Sequence, residues 1–134
     1  MKIKIVLLVG FLSMAVLSLD ISSLKPRVMS PRNEGKNRAS VLRQGENSIA
    51  LHSGYVLLKK GESVGKHNSG AYEELIIVLK GEGTFKSADG ATLKVKAGET
   101  LYCPPNIEHD MTNTGNEDLE YVYVVTKAAK DAHS

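Results

Sequence analysis

The sequence predicts a single all-β domain whose antiparallel strands form a sandwich or a jelly-roll barrel. From residue 41 onward, short runs rich in β-branched and aromatic residues recur about every 8–12 residues, with turn residues between them. No apolar pattern of helical period extends over a useful length of this region. A chain of 134 residues has room for one domain. The strand pattern covers roughly 90 residues, enough for a jelly-roll barrel of about eight strands.

The predicted strands are recognised by their apolar faces and by the turns between them. Residues 75–80, LIIVLK, are apolar on both faces, which is typical of a buried strand. Within residues 84–96, Asp89-Gly90 suits a tight turn and predicts a hairpin. Pro104-Pro105-Asn106 ends another strand. The remaining predicted strands are residues 41–44 and 48–52, which can pair across residues 45–47, and residues 55–60, 99–103, 108–113 and 119–127.

The first 19 residues have the pattern of a secretory signal peptide. A short basic start, MKIK, precedes residues 5–19, an apolar run without a charge. These 15 residues fall short of the roughly 20 that span a bilayer as a helix. We therefore expect a secreted or periplasmic protein without membrane contact after cleavage; an uncleaved anchor or a buried element are the alternatives. Cys103 is the only cysteine, which excludes an internal disulfide and favours a buried small apolar residue over a nucleophile.

Charge is uneven along the rest of the chain. Residues 25–43 contain six basic residues and one acidic residue, whereas residues 44–134 contain nine basic and 13 acidic residues. The basic segment has prolines and no aromatics, which favours a solvated linker over contact with an anionic surface. Nothing in this distribution indicates nucleic-acid recognition. We predict a signal peptide at 1–19, a basic arm at 20–45, a β-barrel at 46–128 and a tail at 129–134.

Two groups of polar residues next to predicted strand ends could carry chemistry. The first group is His67, Ser69, Glu73 and Glu74, and the second is His109. Strand ends that are distant in sequence can meet inside a closed antiparallel barrel. Two imidazoles and one carboxylate that meet there would form a three-ligand set with open positions, which suits Fe(II), Zn or Mn. The alternative is that these side chains are solvated on surface loops.

Two stretches of the chain resemble the two signature motifs of the cupin superfamily. Residues 61–81 resemble G-x5-H-x-H-x3-4-E-x6-G, with serine in place of the second histidine. Residues 98–113 resemble G-x5-P-x-G-x2-H-x3-N, with asparagine in place of the second glycine. The resemblance covers about residues 50–127, and the short spacing between the motifs is similar to that of small bacterial cupins. The matching residues are Gly61, His67, Glu74, Gly81, Gly98, Pro104, His109 and Asn113; the departures are Ser69 and Asn106.

The resemblance implies a double-stranded β-helix, a small conical barrel with one divalent metal ion inside. His67, Glu74 and His109 then take the ligand positions, and Ser69 takes the position of the missing histidine. Glu73 would face outward. Three interpretations of Ser69 stay open. Three ligands hold an ion while Ser69 binds a water molecule, or the pocket is polar and holds no ion, or the pocket binds a different ligand without an ion.

The other motif positions are expected to have structural roles, and two tyrosines outside the motifs could line the pocket. Gly61, Gly81, Gly98, Pro104 and Asn113 are expected to shape turns and strand ends. Tyr121 and Tyr123 share one face of the last strand. If that face lines the barrel, two phenols stand near the ion and could orient a polar ligand.

The function implied by the resemblance is the binding of one divalent ion (Fe, Mn, Zn, Ni or Cu) and a small polar molecule by an exported single-domain cupin. One alternative is a metal-dependent enzyme of dioxygenase or sugar-isomerase type. Another is a degenerate cupin that binds no metal and catalyses nothing. Fold analogy does not choose among these, because cupins host many functions. The apolar outer face of residues 75–79 leaves homodimerisation open.

Overall fold

The computed structural model describes residues 19–33 and 35–129, so the predicted signal peptide and tail lie outside it except at Leu19 and Ala129. Within these residues the chain forms one short 3-10 helix, Ile21–Ser23, and nine strands. None of the helices in this part of the chain is long and apolar enough to cross a membrane. The strands are β1 (Arg38–Leu42), β2 (His52–Leu58), β3 (His67–Asn68), β4 (Tyr72–Lys80), β5 (Glu82–Ser87), β6 (Thr92–Lys96), β7 (Thr100–Cys103), β8 (Glu108–Asn113) and β9 (Leu119–Lys127).

The strands form two antiparallel sheets that share one core. The larger sheet has the order β1-β2-β9-β4-β7, and the smaller has the order β3-β8-β5-β6. The hairpin predicted around Asp89-Gly90 is present as β5 and β6, in which Phe85 pairs with Leu93. The all-β prediction is therefore confirmed.

The core forms where the inward faces of the two sheets meet. In β4, Glu74, Ile76 and Val78 are buried, whereas Leu75 and Leu79 on the opposite face are exposed. Burial of a side chain such as Ile76 contributes about 1.5–3 kcal/mol of transfer free energy. β8 alternates in the same way: His109, Met111 and Asn113 are buried, and the residues between them are not. Leu75 and Leu79 form an exposed apolar patch. Homodimerisation through this patch stays a prediction.

The edge of the larger sheet differs from the sequence prediction. β1 pairs with β2, with Ala39 opposite Tyr55, so the first strand begins inside the segment whose charge and prolines predict a linker. The predicted pairing of residues 41–44 with 48–52 is wrong: residues 43–51 form a turn region with a single bridge between Gln44 and Ser48. Arg38 and Ser40 are exposed on this edge strand, so its polar residues hide the strand pattern.

The basic arm is fastened to the outer face of the larger sheet by a buried carboxylate. Glu120 is 8% exposed and accepts hydrogen bonds from Arg32 Nε at 2.6 Å and from the Tyr55 hydroxyl at 2.8 Å. Burial raises the pKa of Glu120, but the two hydrogen bonds together with the positive charges of Arg32 and Lys80 outweigh that effect and lower the pKa overall. Burial and the neighbouring Glu120 carboxylate raise the pKa of Tyr55 to about 12. The arm near Arg32 is therefore packed on the domain.

Three positions of the signature motifs have structural roles at turns and strand ends. Gly81 has a φ of 76°, and a Cβ atom there would lie 2.4 Å from the Asp118 carbonyl oxygen, so the turn after β4 requires glycine. Asn113 donates two hydrogen bonds, to the carbonyls of Leu58 and Glu117, and so ties three segments together. Asn106 has a φ of 63°, a left-handed conformation that asparagine tolerates better than most residues. This accounts for asparagine at a position where the motif has glycine.

Candidate metal centre

The three predicted ligands meet at one end of the core. His67 on β3 lies directly opposite His109 on β8, and the two ring centroids are 4.3 Å apart at an interplanar angle of 64°. Glu74 reaches them from β4 in the other sheet, with its Oε2 atom 3.0 Å from His109 Nε2. One possible ligand atom from each of the three residues lies within 4.8 Å of the others.

Both histidine rings are oriented by the same kind of hydrogen bond. Nδ1 of His67 lies 2.8 Å from the Gly65 carbonyl oxygen, and Nδ1 of His109 lies 2.9 Å from that of Ile107. A carbonyl oxygen only accepts, so each Nδ1 carries the proton and donates. When the rings are neutral, this arrangement leaves the Nε2 lone pairs for an ion, which is the usual preparation of a metal-binding histidine. Without an ion, Nε2 of His109 instead lies 3.0 Å from Glu74 Oε2. Two imidazole nitrogens and a carboxylate therefore fit a divalent cation.

Glu74 and His109 form a buried pair. Glu74 is 6% exposed and His109 is 3% exposed. The hydrogen bond to Glu74 raises the pKa of His109; desolvation opposes this, and the Ile107 carbonyl adds to it. A buried carboxylate is costly without a cationic partner, and protonated His109 is that partner when no ion is bound. The Phe85 ring stacks on His109 with centroids 5.1 Å apart and restricts its movement.

Ser69 lies beside the ligand set. Its hydroxyl donates to Glu74 Oε2 at 3.3 Å, and it lines the same cavity as the two histidines. The hydroxyl thus contacts the carboxylate from the motif position that has a histidine in the cupin signature. Glu73 faces the other way and accepts a hydrogen bond from the Tyr102 hydroxyl at 3.0 Å, as the count of residues to Gly81 predicts.

A cavity of about 550 Å³ opens in front of the three ligands. Tyr121 and Tyr123 both line it, so the tyrosine face of β9 is the one that faces the barrel. Burial, and then the charge of Glu74, raises the pKa of both phenols. They therefore keep their protons and can donate hydrogen bonds to a ligand. A Cβ atom on Gly54 would lie 2.5 Å from the Tyr123 hydroxyl, so glycine on β2 makes room for this side chain.

Two cationic side chains at the cavity were not singled out from the sequence. Arg38 and Lys66 line it, and Arg38 Nη2 donates to the Val64 carbonyl oxygen at 3.3 Å. Arg38 is close enough to Tyr121 and Tyr123 to oppose the rise in their pKa. The sequence did not indicate Arg38 as a cavity residue because it belongs to a segment whose composition predicts a charged linker. Pairing of β1 with β2 brings it to the cavity.

Cys103 is a neighbour of the site. Its thiol is buried and lies 3.4 Å from Nδ1 of His109. Burial raises the pKa of this thiol, and the nearby carboxylates of Glu74 and Asp89 raise it further. A thiol that keeps its proton is a poor nucleophile, which agrees with the expectation of a buried small apolar residue.

Comparison with known proteins identifies the family. A sequence model of the cupin domain matches residues 54–125, so the chain belongs to the cupin family. The oxalate-binding protein of Thermotoga maritima is 37% identical over 68 residues, which are 51% of this chain and 55% of that protein. The chain thus spans little more than half the length of that relative. An uncharacterised protein of Methanocaldococcus jannaschii is 30% identical over 87 residues, or 65% of this chain and 74% of that protein.

Solved structures have the same fold. A cupin protein from Bacteroides fragilis superposes with a TM-score of 0.65 at 17% identity, covering 84% of this chain and 91% of that one. A cupin with a double-stranded β-helix fold from Methanocaldococcus jannaschii gives a TM-score of 0.57 at 26% identity, covering 75% and 90%. The predicted double-stranded β-helix is confirmed.

Proposed function

We propose that the barrel binds one divalent cation through His67, Glu74 and His109, and with it a small carboxylate anion. The observation that carries this proposal is the preparation of both imidazoles. Each Nδ1 is bonded to a backbone carbonyl, which leaves both Nε2 atoms for an ion beside a buried carboxylate. When bound, the ion would act as a Lewis acid that attracts the oxygen atoms of the ligand.

The charges around the cavity favour an anion. A divalent ion exceeds the single negative charge of Glu74, and Arg38 and Lys66 add two cations at the cavity wall. A guanidinium suits a carboxylate because it offers paired donors in one plane. The relative from Thermotoga maritima is an oxalate-binding protein, which supports a small dicarboxylate as the first ligand to test.

The remaining residues of the cavity would hold the ligand in place. Tyr121 and Tyr123 offer hydroxyl protons from one wall, and the Ser69 hydroxyl holds Glu74 in position. A cavity of about 550 Å³ is within the usual range for small-molecule sites. In this account the protein binds its ligand and releases it unchanged.

Isothermal titration calorimetry of oxalate against tag-free protein tests the proposal. We expect binding to protein loaded with Mn²⁺ or Zn²⁺ and weak or no binding to metal-free protein. Arg38→Gln should weaken oxalate binding by about tenfold, the effect of losing one charge-assisted contact of roughly 1.4 kcal/mol, while metal uptake is retained. Equal binding with and without metal would contradict the proposal, and recovery of chemically altered ligand would favour the enzyme alternative.

We also propose that the protein is exported, on the basis of residues 1–19 alone. Expression in a bacterial host followed by mass spectrometry of the intact protein tests this. The expected species lacks Lys2 and Lys4 and is found outside the cytoplasm. An intact chain that begins at Met1 and remains in the cytoplasm would contradict export without affecting the proposed metal centre.

A further inference from the structure

We propose that Asp110, on the outside of the barrel, is a positioning residue that holds His67 in its metal-binding orientation. The inference rests on the proposed function, because it assigns a role toward the same ion. Asp110 directly follows His109 in β8, but the two side chains point to opposite faces of the strand. His109 therefore faces the cavity, and Asp110 acts on the segment that precedes His67 from the other face of the sheet.

His67 has little support of its own. It is exposed and belongs to β3, a strand of two residues that pairs with β8 at the edge of the smaller sheet. Strands of this length do not fix a side chain without help from neighbouring segments. The direct bond that orients its ring comes from Nδ1 to the Gly65 carbonyl oxygen, at 2.8 Å. The orientation of His67 consequently depends on what holds Gly65.

Asp110 holds Gly65 through a closed set of hydrogen bonds. The Gly65 amide donates to Asp110 Oδ1 at 3.0 Å and to Ser63 Oγ at 2.9 Å. The Ser63 hydroxyl in turn donates to the Asp110 carboxylate, at 2.7 Å to Oδ1 and 2.6 Å to Oδ2. We call these bonds the Asp110 network. Hydrogen bonds to a charged acceptor are among the stronger ones, so the network fixes Gly65 more firmly than neutral partners would.

The backbone of Gly65 makes this support necessary. Its φ of 95° belongs to the left-handed side of conformational space, and an added Cβ atom would meet nothing within 4 Å. No neighbouring atom therefore blocks movement on that side of Gly65, and the Asp110 network supplies a restraint. Backbone bonds anchor the neighbouring residue as well, since the Val64 amide donates to the Met111 carbonyl oxygen at 2.9 Å. Asp110 thus completes an anchor that ends at the His67 ring.

The proposal predicts a change in the tautomer of His67 in metal-free protein. Heteronuclear NMR of histidine ring nitrogens at about pH 8, above the ordinary imidazole pKa, shows which nitrogen carries the proton. We expect a protonated Nδ1 on His67 in the wild type and a mixture of tautomers in Asp110→Ala. Asp110→Asn keeps an acceptor for the Gly65 amide and should retain the wild-type tautomer.

Calorimetry with Zn²⁺ supplies the second readout. Asp110→Ala should weaken Zn²⁺ binding by about 10- to 100-fold, the usual effect of losing an outer-shell partner, and Asp110→Asn should weaken it less. The control is Asp118→Ala, which removes a carboxylate that directly precedes β9 and is paired with Lys59 at 2.7 Å. A purely structural role of Asp110 would lower thermal stability without altering the His67 tautomer.

The two proposals fail in different ways. If the wild type binds no Zn²⁺, the proposed metal centre fails, and the tautomer comparison in metal-free protein still decides the role of Asp110. If Asp110→Ala keeps both the His67 tautomer and the Zn²⁺ affinity of Asp118→Ala, the positioning role is refuted. Should Asp110→Ala not fold, Ser63→Ala replaces it, with a smaller shift expected in the same direction. An unchanged His67 tautomer in folded Ser63→Ala would then overturn the inference.

Discussion

The two histidines of the candidate metal centre are held in the same way but in very different surroundings. Each donates from Nδ1 to the carbonyl oxygen of the residue two positions earlier. His109 is 3% exposed on a six-residue strand with neighbours on both sides, whereas His67 is exposed on a two-residue strand at the edge of its sheet. The site therefore has a buried half, formed by Glu74 and His109, and an exposed half, formed by His67.

This difference separates metal affinity from stability. The buried half is part of the core, so its charges must be balanced whether or not an ion is present. The exposed half contributes a ligand but little packing. We expect changes to the two halves to have similar effects on metal binding and unlike effects on the free energy of unfolding.

His109→Ala should have the largest effect. It removes one imidazole ligand and leaves Glu74 buried without its partner, and breaking a buried pair in this way costs about 3–5 kcal/mol. Zn²⁺ calorimetry should show loss of tight binding, and urea unfolding of metal-free protein should show the destabilisation. Unfolding at the wild-type urea concentration would mean that the Glu74–His109 pair does not stabilise the core.

His67→Ala should match the loss of metal but not the loss of stability. The side chain is exposed, so the free energy of unfolding of metal-free protein should change by no more than about 0.5 kcal/mol. The same two measurements, made side by side with His109→Ala, give the contrast. Equal destabilisation by the two changes would remove the distinction between the halves.

The pH dependence of stability should follow the titration of His109 in the buried half. Because the folded-state pKa of His109 is raised, its charged form stabilises the folded metal-free protein fully below the unfolded-state value of about 6.5. That contribution is lost as pH rises through the raised folded-state pKa. Urea unfolding in the presence of a chelator measures it, and His109→Gln should lack this part of the pH dependence. An identical pH profile for the variant would contradict the assignment.

Substitution of Ser69 should have the smallest effect. Ser69→Ala removes a 3.3 Å hydrogen bond to Glu74 and should change Zn²⁺ affinity by less than about tenfold, because one neutral hydrogen bond contributes roughly 1 kcal/mol. Ser69→His adds an imidazole at the motif position and should tighten binding. If Ser69→Ala instead abolished Zn²⁺ binding, the hydroxyl would belong to the ligand set, and the three-ligand account would be wrong.

Strand alternation and motif spacing together predict which of two adjacent glutamates faces the core. In Glu73-Glu74, only one carboxylate can share a face with Ile76, and the spacing to Gly81 identifies Glu74. Alternation alone did not decide which face of β9 is inside, so the position of Tyr121 became clear only from the packing.

The edges of the fold were harder to predict. β1 contains polar residues in a basic segment, and its pairing with β2 depends on contacts distant in sequence. Arg38 was missed at the cavity for that reason. The Asp110 network was missed because an outward polar residue on a strand usually indicates solvent, and its partner Gly65 belongs to a separate loop. Local patterns carry no information on such contacts.

The most direct test is the metal content of tag-free protein purified without chelator and measured by inductively coupled plasma mass spectrometry. We expect about one Fe, Mn, Zn, Ni or Cu ion per chain, as three-ligand sites hold, and none in the His67→Ala, His109→Ala double variant. Absence of metal from the wild type, even after reconstitution with each ion, would contradict the proposed metal centre. Stoichiometric metal in the double variant would place the ion elsewhere and contradict it equally.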